Sequence, residues 1–345
     1  MRKWPRVRNI LLAVLFAATA SAAAVREPAP PATRQPARQP AVTLVWPEPP
    51  APARISYLKA LIPMTAGRKP SFLGRLWNVV TGGRDEAAMT QPYGLAMDPL
   101  DRLYVADTFG QAVHVFDLRK GSYHAIRVEG ESLIGVAVLG DRLFVTDSAS
   151  GRLICLTLKG KRLWTLGREA GFERPTGLAA AGDRVFVVDT LAHQVVVVSA
   201  TGAVLDRFGS HGSEPGQFNF PTNIAVGPDG RLYVTDSMNF RVQIFHPSGK
   251  LLSSFGSLGN GSGDFNRPKG IGVDSDGHIY VVEGLHDVVQ IFDEEGRFLL
   301  AFGESGTGDG EFWLPAGLTI HDDRIYVSDS SNRRVQVFDY LTERR

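Results

Sequence analysis

The sequence has very little cysteine: one residue, Cys155, in a chain of 345. A single cysteine cannot form an internal disulfide or a zinc site of paired cysteines, so neither kind of cross-link holds this fold. Cys155 lies in the apolar stretch LICLTL, which predicts a buried free thiol. The sequence also has no phosphate-binding loop and no serine nucleophile elbow. The common short signatures of catalysis are therefore missing.

The chain also has no excess of either charge, with 37 Lys+Arg against 36 Asp+Glu. The basic residues Arg2, Lys3, Arg6 and Arg8 are followed by a short apolar run at residues 10–20 and small residues up to Ala24. This order predicts a secretory signal peptide at residues 1–24, and without it the balance is 33 Lys+Arg against 36 Asp+Glu. Near-neutral charge and export both argue against a nucleic-acid partner.

An uncleaved membrane anchor is the alternative to a signal peptide, but the apolar run is shorter than the ~18 residues that span a bilayer. We therefore expect a periplasmic or secreted protein with no transmembrane anchor after cleavage. Residues 25–52 are rich in Pro, Ala and Arg, a composition that favours an extended linker and cannot build a core.

The remainder of the chain contains one motif six times, as in LYVADT and LYVTDS. Its acidic residue recurs at steps of 40, 42, 47, 47 and 46 residues. Each copy follows a strand of small residues such as GLAMD and precedes further apolar strands. Four short strands in each period of ~40 to 47 residues predict the blades of a β-propeller. The acids are Asp107, Asp147, Asp189, Asp236, Glu283 and Asp329.

Six acids at equivalent positions indicate a structural role. Each follows the second strand of its repeat, where a carboxylate can accept hydrogen bonds from backbone N–H groups of the turn. An arginine five residues later, as at Arg152, Arg241 and Arg334, is placed to pair with it. We therefore interpret Asp107, Asp147, Asp189, Asp236 and Asp329 as turn-forming residues.

The segment DGRLYVTDSMNFRVQIF, with the repeated P-x-G-I-A pattern before it, resembles the NHL repeat. The resemblance covers residues 91–340 and is strongest in repeats four and six, which keep Asn239 with Arg241 and Asn332 with Arg334. It implies an all-β, six-bladed propeller of an exported bacterial type at residues 53–341.

The sixth repeat lacks its fourth strand. Residues 53–62, which alternate as ARISYLKALI, are predicted to supply it and so to close the ring without exposed strand edges. A short amphipathic helix is predicted at about residues 71–81, between Ser71 and Gly82, on or near the mouth of the central channel.

NHL propellers generally bind macromolecules on one face, so the resemblance implies a monomeric, non-catalytic binding or scaffold module. Its expected partner is a protein, peptide or glycan of the cell envelope, and no cofactor is expected. The positions that lead into each first strand should surround the channel mouth, with basic groups attracting an anionic partner. The candidate binding residues are Tyr93, Thr176, Thr222, Arg241, Lys269 and Arg334.

The alternative is a metal-dependent lyase or lactonase, since some similar propellers are enzymes. A catalytic zinc takes three protein ligands, and the eight histidines do not recur in register. Glu283 and His286 in the fifth repeat, EGLH, are the candidate acid/base pair, and His193 with His286 are the candidate metal ligands.

Overall fold

The computed structural model describes residues 44–63 and 88–341, which form six antiparallel sheets of four or five strands. Consecutive strands pair with one another inside each sheet, and the first strand of every sheet contacts the first strands of its two neighbours. This arrangement is a ring of six blades with the first strands innermost, so the predicted six-bladed β-propeller is confirmed.

The strands follow the repeats of the sequence. In the order of the chain, blade 1 has Pro92–Met97, Arg102–Asp107, Ala112–Asp117 and Ser122–Arg127. Blade 2 has Leu133–Leu139, Arg142–Asp147, Arg152–Thr157 and Arg162–Leu166, and blade 3 has Pro175–Ala181, Arg184–Asp189, Gln194–Ser199 and Val204–Phe208. Blade 4 has Pro221–Val226, Leu232–Asp236, Arg241–Phe245 and Leu251–Phe255, and blade 5 has Pro268–Val273, Ile279–Glu283, Val288–Phe292 and Phe298–Phe302. Blade 6 has Pro315–His321, Arg324–Asp329 and Arg334–Tyr340, with Ile55–Leu61 and Val45–Trp46 added from the N-terminal side.

Blade 6 is closed by the N-terminal strand, as the sequence predicts. Ile55–Leu61 pairs antiparallel with Arg334–Tyr340, with Ser56 opposite Asp339. Val45–Trp46 adds a fifth strand, and the Trp46 ring packs against Phe302 and Phe338. The folded part of the chain therefore reaches into residues 25–52, where the sequence predicted only a linker.

Helical structure is limited, among the described residues, to two single turns of 3₁₀ helix at Arg168–Ala170 and Ser237–Asn239, and a short parallel pair joins Glu304–Ser305 to Glu311–Phe312. The predicted helix at about residues 71–81 and the predicted signal peptide lie outside the described residues. In the part of the chain that is described, no helix has the length and apolar character needed to cross a membrane.

The hydrophobic core consists of six layers, each between two adjacent blades. Blades 1 and 2, for example, share a cluster with Tyr104 and Val113 on one side and Leu143 and Ile154 on the other. The same kind of cluster joins blade 6 to blade 1. Because every blade packs on both sides, the ring has no end blade with an unburied apolar face.

Glycine in the innermost strands has a steric cause. A Cβ on Gly135 would lie 2.2 Å from the Thr176 carbonyl oxygen of the next blade, and one on Gly317 would lie 2.1 Å from the Tyr93 carbonyl oxygen. Blade 4 has Asn223 at this position, and its side-chain oxygen accepts the Ile224 N–H at 2.9 Å. The near-uniform glycine therefore reflects how closely neighbouring innermost strands approach.

Replacing Ile55 by alanine should destabilise the ring, because Ile55 is fully buried between blades 5 and 6. We expect a loss of about 2 to 5 kcal/mol from the transfer and cavity costs of a buried large-to-small substitution. The control is Leu58→Ala in the same strand, where the side chain is 41% exposed and the expected loss is under about 1 kcal/mol. Urea unfolding of both variants measures the difference, and equal losses would show that this strand does not close the ring.

Candidate functional site on the acid-bearing face

Each blade buries one carboxylate at the end of its second strand. All six of these acids are fully buried. They accept hydrogen bonds from the backbone of the connector that leads into their own blade. Asp107 accepts the Thr90 and Gln91 N–H groups at 2.6 and 2.8 Å, and Glu283 accepts those of Asn266 and Arg267 at 2.9 and 2.7 Å. The acids therefore join the connectors between blades to the second strands, in addition to forming turns.

Two arginines extend this network to the glycine-rich connectors. Arg241 donates Nε to Asp236 at 2.8 Å and its other nitrogens to the carbonyl groups of Ser213 and Gln217. Arg334 binds Asp329 at 2.7 Å and the Glu311 carbonyl at 2.9 Å. These side chains are 15% and 9% exposed, so most of their hydrogen-bonding capacity is used inside the protein.

The acids of blades 1, 2 and 3 have different partners, and their pKa values shift in different directions. Burial alone would raise the pKa of Asp107, but the His114 ring and two backbone N–H groups outweigh it, and the pKa is lowered. Asp147 behaves in the same way, with Arg152 as its main compensating partner. Asp189 accepts backbone hydrogen bonds and has Gln194 where Arg152 stands in blade 2, and burial raises its pKa.

The partner His114 was missed by the sequence analysis. It occupies the third-strand position of Gln243 and Gln336, whose side-chain amides donate to Asp236 and Asp329 at 3.1 and 3.0 Å. His114 Nε2 lies 3.1 Å from Asp107, and Nδ1 lies 2.7 Å from the Tyr123 hydroxyl. Alignment of AVHVF in blade 1 with RVQIF in blade 4 places His114 opposite Gln243 and would have identified this position.

A second set of hydrogen bonds joins adjacent blades near the channel. In blades 3, 4 and 6 the residue after the acid donates its hydroxyl to the carbonyl of the proline that begins the following blade, as Ser237 does to Pro268 at 2.6 Å. Blade 5 has Gly284 at this position, and the Lys269 side chain fills the space that a Cβ there would need. Lys269 Nζ donates to the Pro315 carbonyl at 3.2 Å, so its ammonium replaces the missing hydroxyl. Burial, followed by the charge of Arg267, lowers the pKa of Lys269.

The central channel contains a cavity of about 190 Å³ lined mainly by small and apolar residues of all six innermost strands. At the acid-bearing end it begins at Tyr93 and Ile134. This end is fixed by the register, because Pro92 pairs with Asp107 and Pro315 with Asp329. A cavity of this size holds a small group and not a drug-sized ligand, for which pockets of about 300 to 1,000 Å³ are usual.

The candidate binding residues Tyr93, Thr176, Thr222 and Lys269 all lie at this end of the innermost strands, in agreement with their positions in the repeat. Thr176 is buried and hydrogen-bonded to Thr190 at 2.7 Å, and Thr222 bonds to Ser237 at 2.7 Å. Tyr93 is partly exposed and lines the cavity. Arg241 and Arg334 lie further out, in the acid networks described above.

Arg174 and Arg267 are the more accessible basic residues of this face, and only Arg267 was noticed in the sequence. Both precede the proline that begins their blade, and both side chains are exposed. Their backbone N–H groups bind the buried acids Asp189 and Glu283, each at 2.7 Å. The repeated R-P pair in ERPTG and NRPKG was the available signal.

Large apolar side chains are exposed on the same face. The position two residues after the acid holds an exposed apolar residue in four of the six blades, namely Phe109, Leu191, Met238 and Leu285. Phe220, Trp313 and Leu314 are exposed on the connectors beside these turns. An apolar ring around a channel mouth is characteristic of a surface that binds another molecule.

The candidate catalytic acid Glu283 is fully buried and accepts three backbone N–H groups, those of Asn266, Arg267 and Leu285. It therefore takes the same structural place as the other acids. His193 Nδ1 accepts the Phe220 N–H at 3.1 Å, and its ring centroid lies 4.4 Å from that of His211. Burial, then the charge of His211, lowers the pKa of His193. His286 is partly exposed in the blade 5 turn.

Among the described residues, one group has three potential metal ligands close together: Asp101, His321 and Asp322. Asp101 and Asp322 lie in loops between first and second strands, and His321 ends the first strand of blade 6, all on the face opposite the acids. Asp101 is already bound to His321 at 2.8 Å and to Arg119 at 2.5 Å. This group contains none of the candidate catalytic or metal-binding residues.

Comparison with known families agrees with this architecture. A family model of the NHL repeat matches residues 218–245, and one described as a 6-bladed beta-propeller matches residues 274–343. The chain is a six-bladed β-propeller, and blade 4 contains an NHL repeat. A model described as outer membrane protein assembly factor BamB also matches the chain, at residues 74–209. No curated protein matches the sequence.

Solved structures similar to this propeller include both enzymes and a binding protein. A gluconolactonase from Xanthomonas campestris is 19% identical, with a TM-score of 0.58 over 74% of this chain and 89% of that one. A streptogramin B lyase is 14% identical, with a TM-score of 0.56 over 74% and 95%. An auxiliary nutrient binding protein from Bacteroides thetaiotaomicron is 14% identical, with a TM-score of 0.57 over 74% and 70%. At these identities the likeness shows the shared fold alone.

Replacing Arg152 by glutamine should destabilise the propeller in a pH-dependent way. Arg152 Nη2 donates to Asp147 at 2.7 Å, and the folded-state pKa of Asp147 is lowered. A lowered pKa contributes stability above the unfolded value, near 4, that is lost as the pH falls through the folded value. We expect a loss of about 1 to 3 kcal/mol at pH 7.

The loss should shrink below about pH 4 as Asp147 becomes protonated. Urea unfolding at pH 7 and pH 3 measures it. The matched control is Arg168→Gln, at an exposed arginine on a connector, which should change stability little at either pH. A loss of equal size at both pH values would mean that Arg152 acts through packing and not through Asp147.

Proposed function

We propose that this propeller is an exported, non-catalytic binding module that recognises a macromolecular partner of the cell envelope with its acid-bearing face. The observation that carries the proposal is the ring of exposed apolar side chains at one turn position, formed by Phe109, Leu191, Met238 and Leu285. Since equivalent turns in all six blades are fixed by buried acids, these side chains stand on a rigid frame. Preformed apolar surfaces of this kind lower the entropic cost of binding.

The acid-bearing face fits a protein or peptide partner better than a glycan. Aromatic residues and methionine are enriched in the buried centres of protein interfaces. Phe109, Phe220, Met238 and Trp313 supply such residues around the channel mouth. The similar chains include a nutrient-binding protein, and the BamB-type family match is consistent with a place in the envelope. Export itself rests on the basic and apolar pattern of residues 1–24.

Catalysis by the lyase or lactonase alternative has less support. The carboxylate of Glu283 is fully buried and engaged with three backbone N–H groups, so using it as an acid, a base or a ligand would break the turn. The His193 ring nitrogen Nδ1 already accepts a backbone hydrogen bond.

Metal analysis tests the catalytic alternative directly. The purified protein, dialysed against metal-free buffer, is expected to contain well under one equivalent of zinc or calcium by mass spectrometry. Glu283→Gln serves as the comparison, since it removes the only acid proposed for catalysis. A stoichiometric metal in the parent protein that is lost from this variant would favour the enzyme.

Site-specific photo-crosslinking tests the binding module. A photo-crosslinking residue placed at Met238 or Leu285 should yield an adduct with one discrete partner in the native cell. The matched controls are Leu100 on the opposite face and Leu205 on an outer strand, both exposed leucines. Adducts at the controls but none at Met238 or Leu285 would place recognition elsewhere.

Substitution with charged residues then measures how much the acid-bearing face contributes to the affinity for the partner. Met238→Glu together with Leu285→Glu should weaken binding of the identified partner at least tenfold, because apolar contact area is lost and a charge must be desolvated. Leu100→Glu should leave the affinity unchanged. Equal effects of the two changes would contradict a role for the acid-bearing face.

A further inference from the structure

The mouth of the channel gathers cationic groups from alternate blades. Arg174 belongs to blade 3, and Arg267 and Lys269 belong to blade 5. Each arginine directly precedes the proline that begins the innermost strand of its blade, and Lys269 directly follows that proline in blade 5. Tyr93, which follows Pro92, occupies in blade 1 the position that Lys269 occupies in blade 5. The three blades are evenly spaced around the ring, so these side chains surround one opening.

These groups influence one another electrostatically. Burial raises the pKa of the Tyr93 hydroxyl, while the charges of Arg174 and Arg267 act in the opposite direction. Arg267 also helps to lower the pKa of Lys269. The charges of Arg174 and Arg267, from blades 3 and 5, therefore both act on Tyr93 of blade 1.

Among the described residues, the side chains of these two arginines have no acidic partner, unlike the three arginines that follow the turn acids. Arg152, Arg241 and Arg334 each form an ion pair with the acid of their blade. Within residues 44–63 and 88–341, neither the Arg174 nor the Arg267 guanidinium makes a hydrogen bond or an ion pair. The acids of their own blades, Asp189 and Glu283, bind their backbone N–H groups instead.

The frame holds these cations in place before any ligand arrives. Because the backbone N–H of each arginine is bound to a buried carboxylate at 2.7 Å, the start of each side chain is fixed. Lys269 is fixed at its other end by the Pro315 carbonyl. Converging like charges cost free energy unless an anion neutralises them, and guanidinium groups match the planar oxygen pair of a carboxylate or the oxygens of a phosphate.

We propose that the channel mouth is an oxyanion-binding site, in which Arg174 and Arg267 bind a carboxylate or phosphate group of the partner, with Lys269 and the Tyr93 hydroxyl as further donors. The cavity of about 190 Å³ that begins at Tyr93 accepts the short apolar stem that carries this group. The inference rests on the proposed binding function, for which it names the recognised chemistry.

Calorimetric titration of the purified propeller tests the site with small anions. The probes are inorganic phosphate and N-acetylalanine, with N-acetylalanine amide as the neutral counterpart of the carboxylate, all at one ionic strength. We expect saturable binding of at least one anion and none of the amide. The tighter of the two anions identifies the group that the partner carries.

The decisive variant is Arg174→Gln with Arg267→Gln, which keeps both backbone hydrogen bonds and removes two charges. It should bind the anion at least tenfold more weakly than the parent protein. Arg168→Gln with Arg333→Gln is the matched control, because it removes two exposed charges of the same face, one on a connector and one in the blade 6 turn, and should leave the affinity unchanged. A thermal unfolding curve without ligand checks that both variants fold.

Failure of this site is distinguishable from failure of the proposed function. Absence of saturable anion binding, or equal weakening in both double variants, would overturn the oxyanion site. If the partner crosslinked at Met238 bound the Arg174→Gln, Arg267→Gln protein as tightly as the parent, the binding module would stand without this site. Specific anion binding with no crosslinked partner would retain the site and reject the macromolecular function.

Discussion

The hydrogen bond between a buried carboxylate and the connector before its blade is the interaction on which this propeller depends. A connector leaves the outer strand of one blade and must return to the axis, and its backbone N–H groups have no strand partner there. One buried acid per blade accepts them, as Asp329 accepts the Trp313 N–H at 2.8 Å. A buried carboxylate is itself costly, and it is tolerated because these donors and, in four blades, a histidine or arginine compensate its charge.

Because this buried acid recurs in every blade, the residues that stabilise the fold are different from the residues that can bind a partner. The acids, which recur in every blade, are fully buried. The side chains that differ from blade to blade, such as Phe109, Arg174 and Lys269, lie on the surface or at the channel mouth. Since the repeated residues fix the backbone beneath them, the variable residues change the chemistry of the face without changing the fold.

Most of the fold followed from the sequence because its cause is local and periodic. The spacing of the acids gave the number of blades, and the alternation of residues 53–62 gave the strand that closes blade 6. The site was harder to predict, because its contacts join blades that no local pattern relates. Nothing in the order of residues shows that Lys269 substitutes for a hydroxyl missing at Gly284, or that His193 binds the backbone of Phe220. The packing of Trp46 on Phe338 was also not predicted, because the proline-rich composition around Trp46 is typical of a linker.

Closure by strands from distant parts of the chain has a consequence for biosynthesis. Ser56 meets Asp339 only after almost the entire polypeptide has left the ribosome, so a nascent chain carries open sheet edges until its last blade is made. Contacts between such distant residues form slowly, and exposed edges promote aggregation in the meantime. The export proposed above would avoid that hazard if the chain crossed the membrane unfolded and folded once both ends were present. A truncated product would be left as a substrate for quality-control proteases.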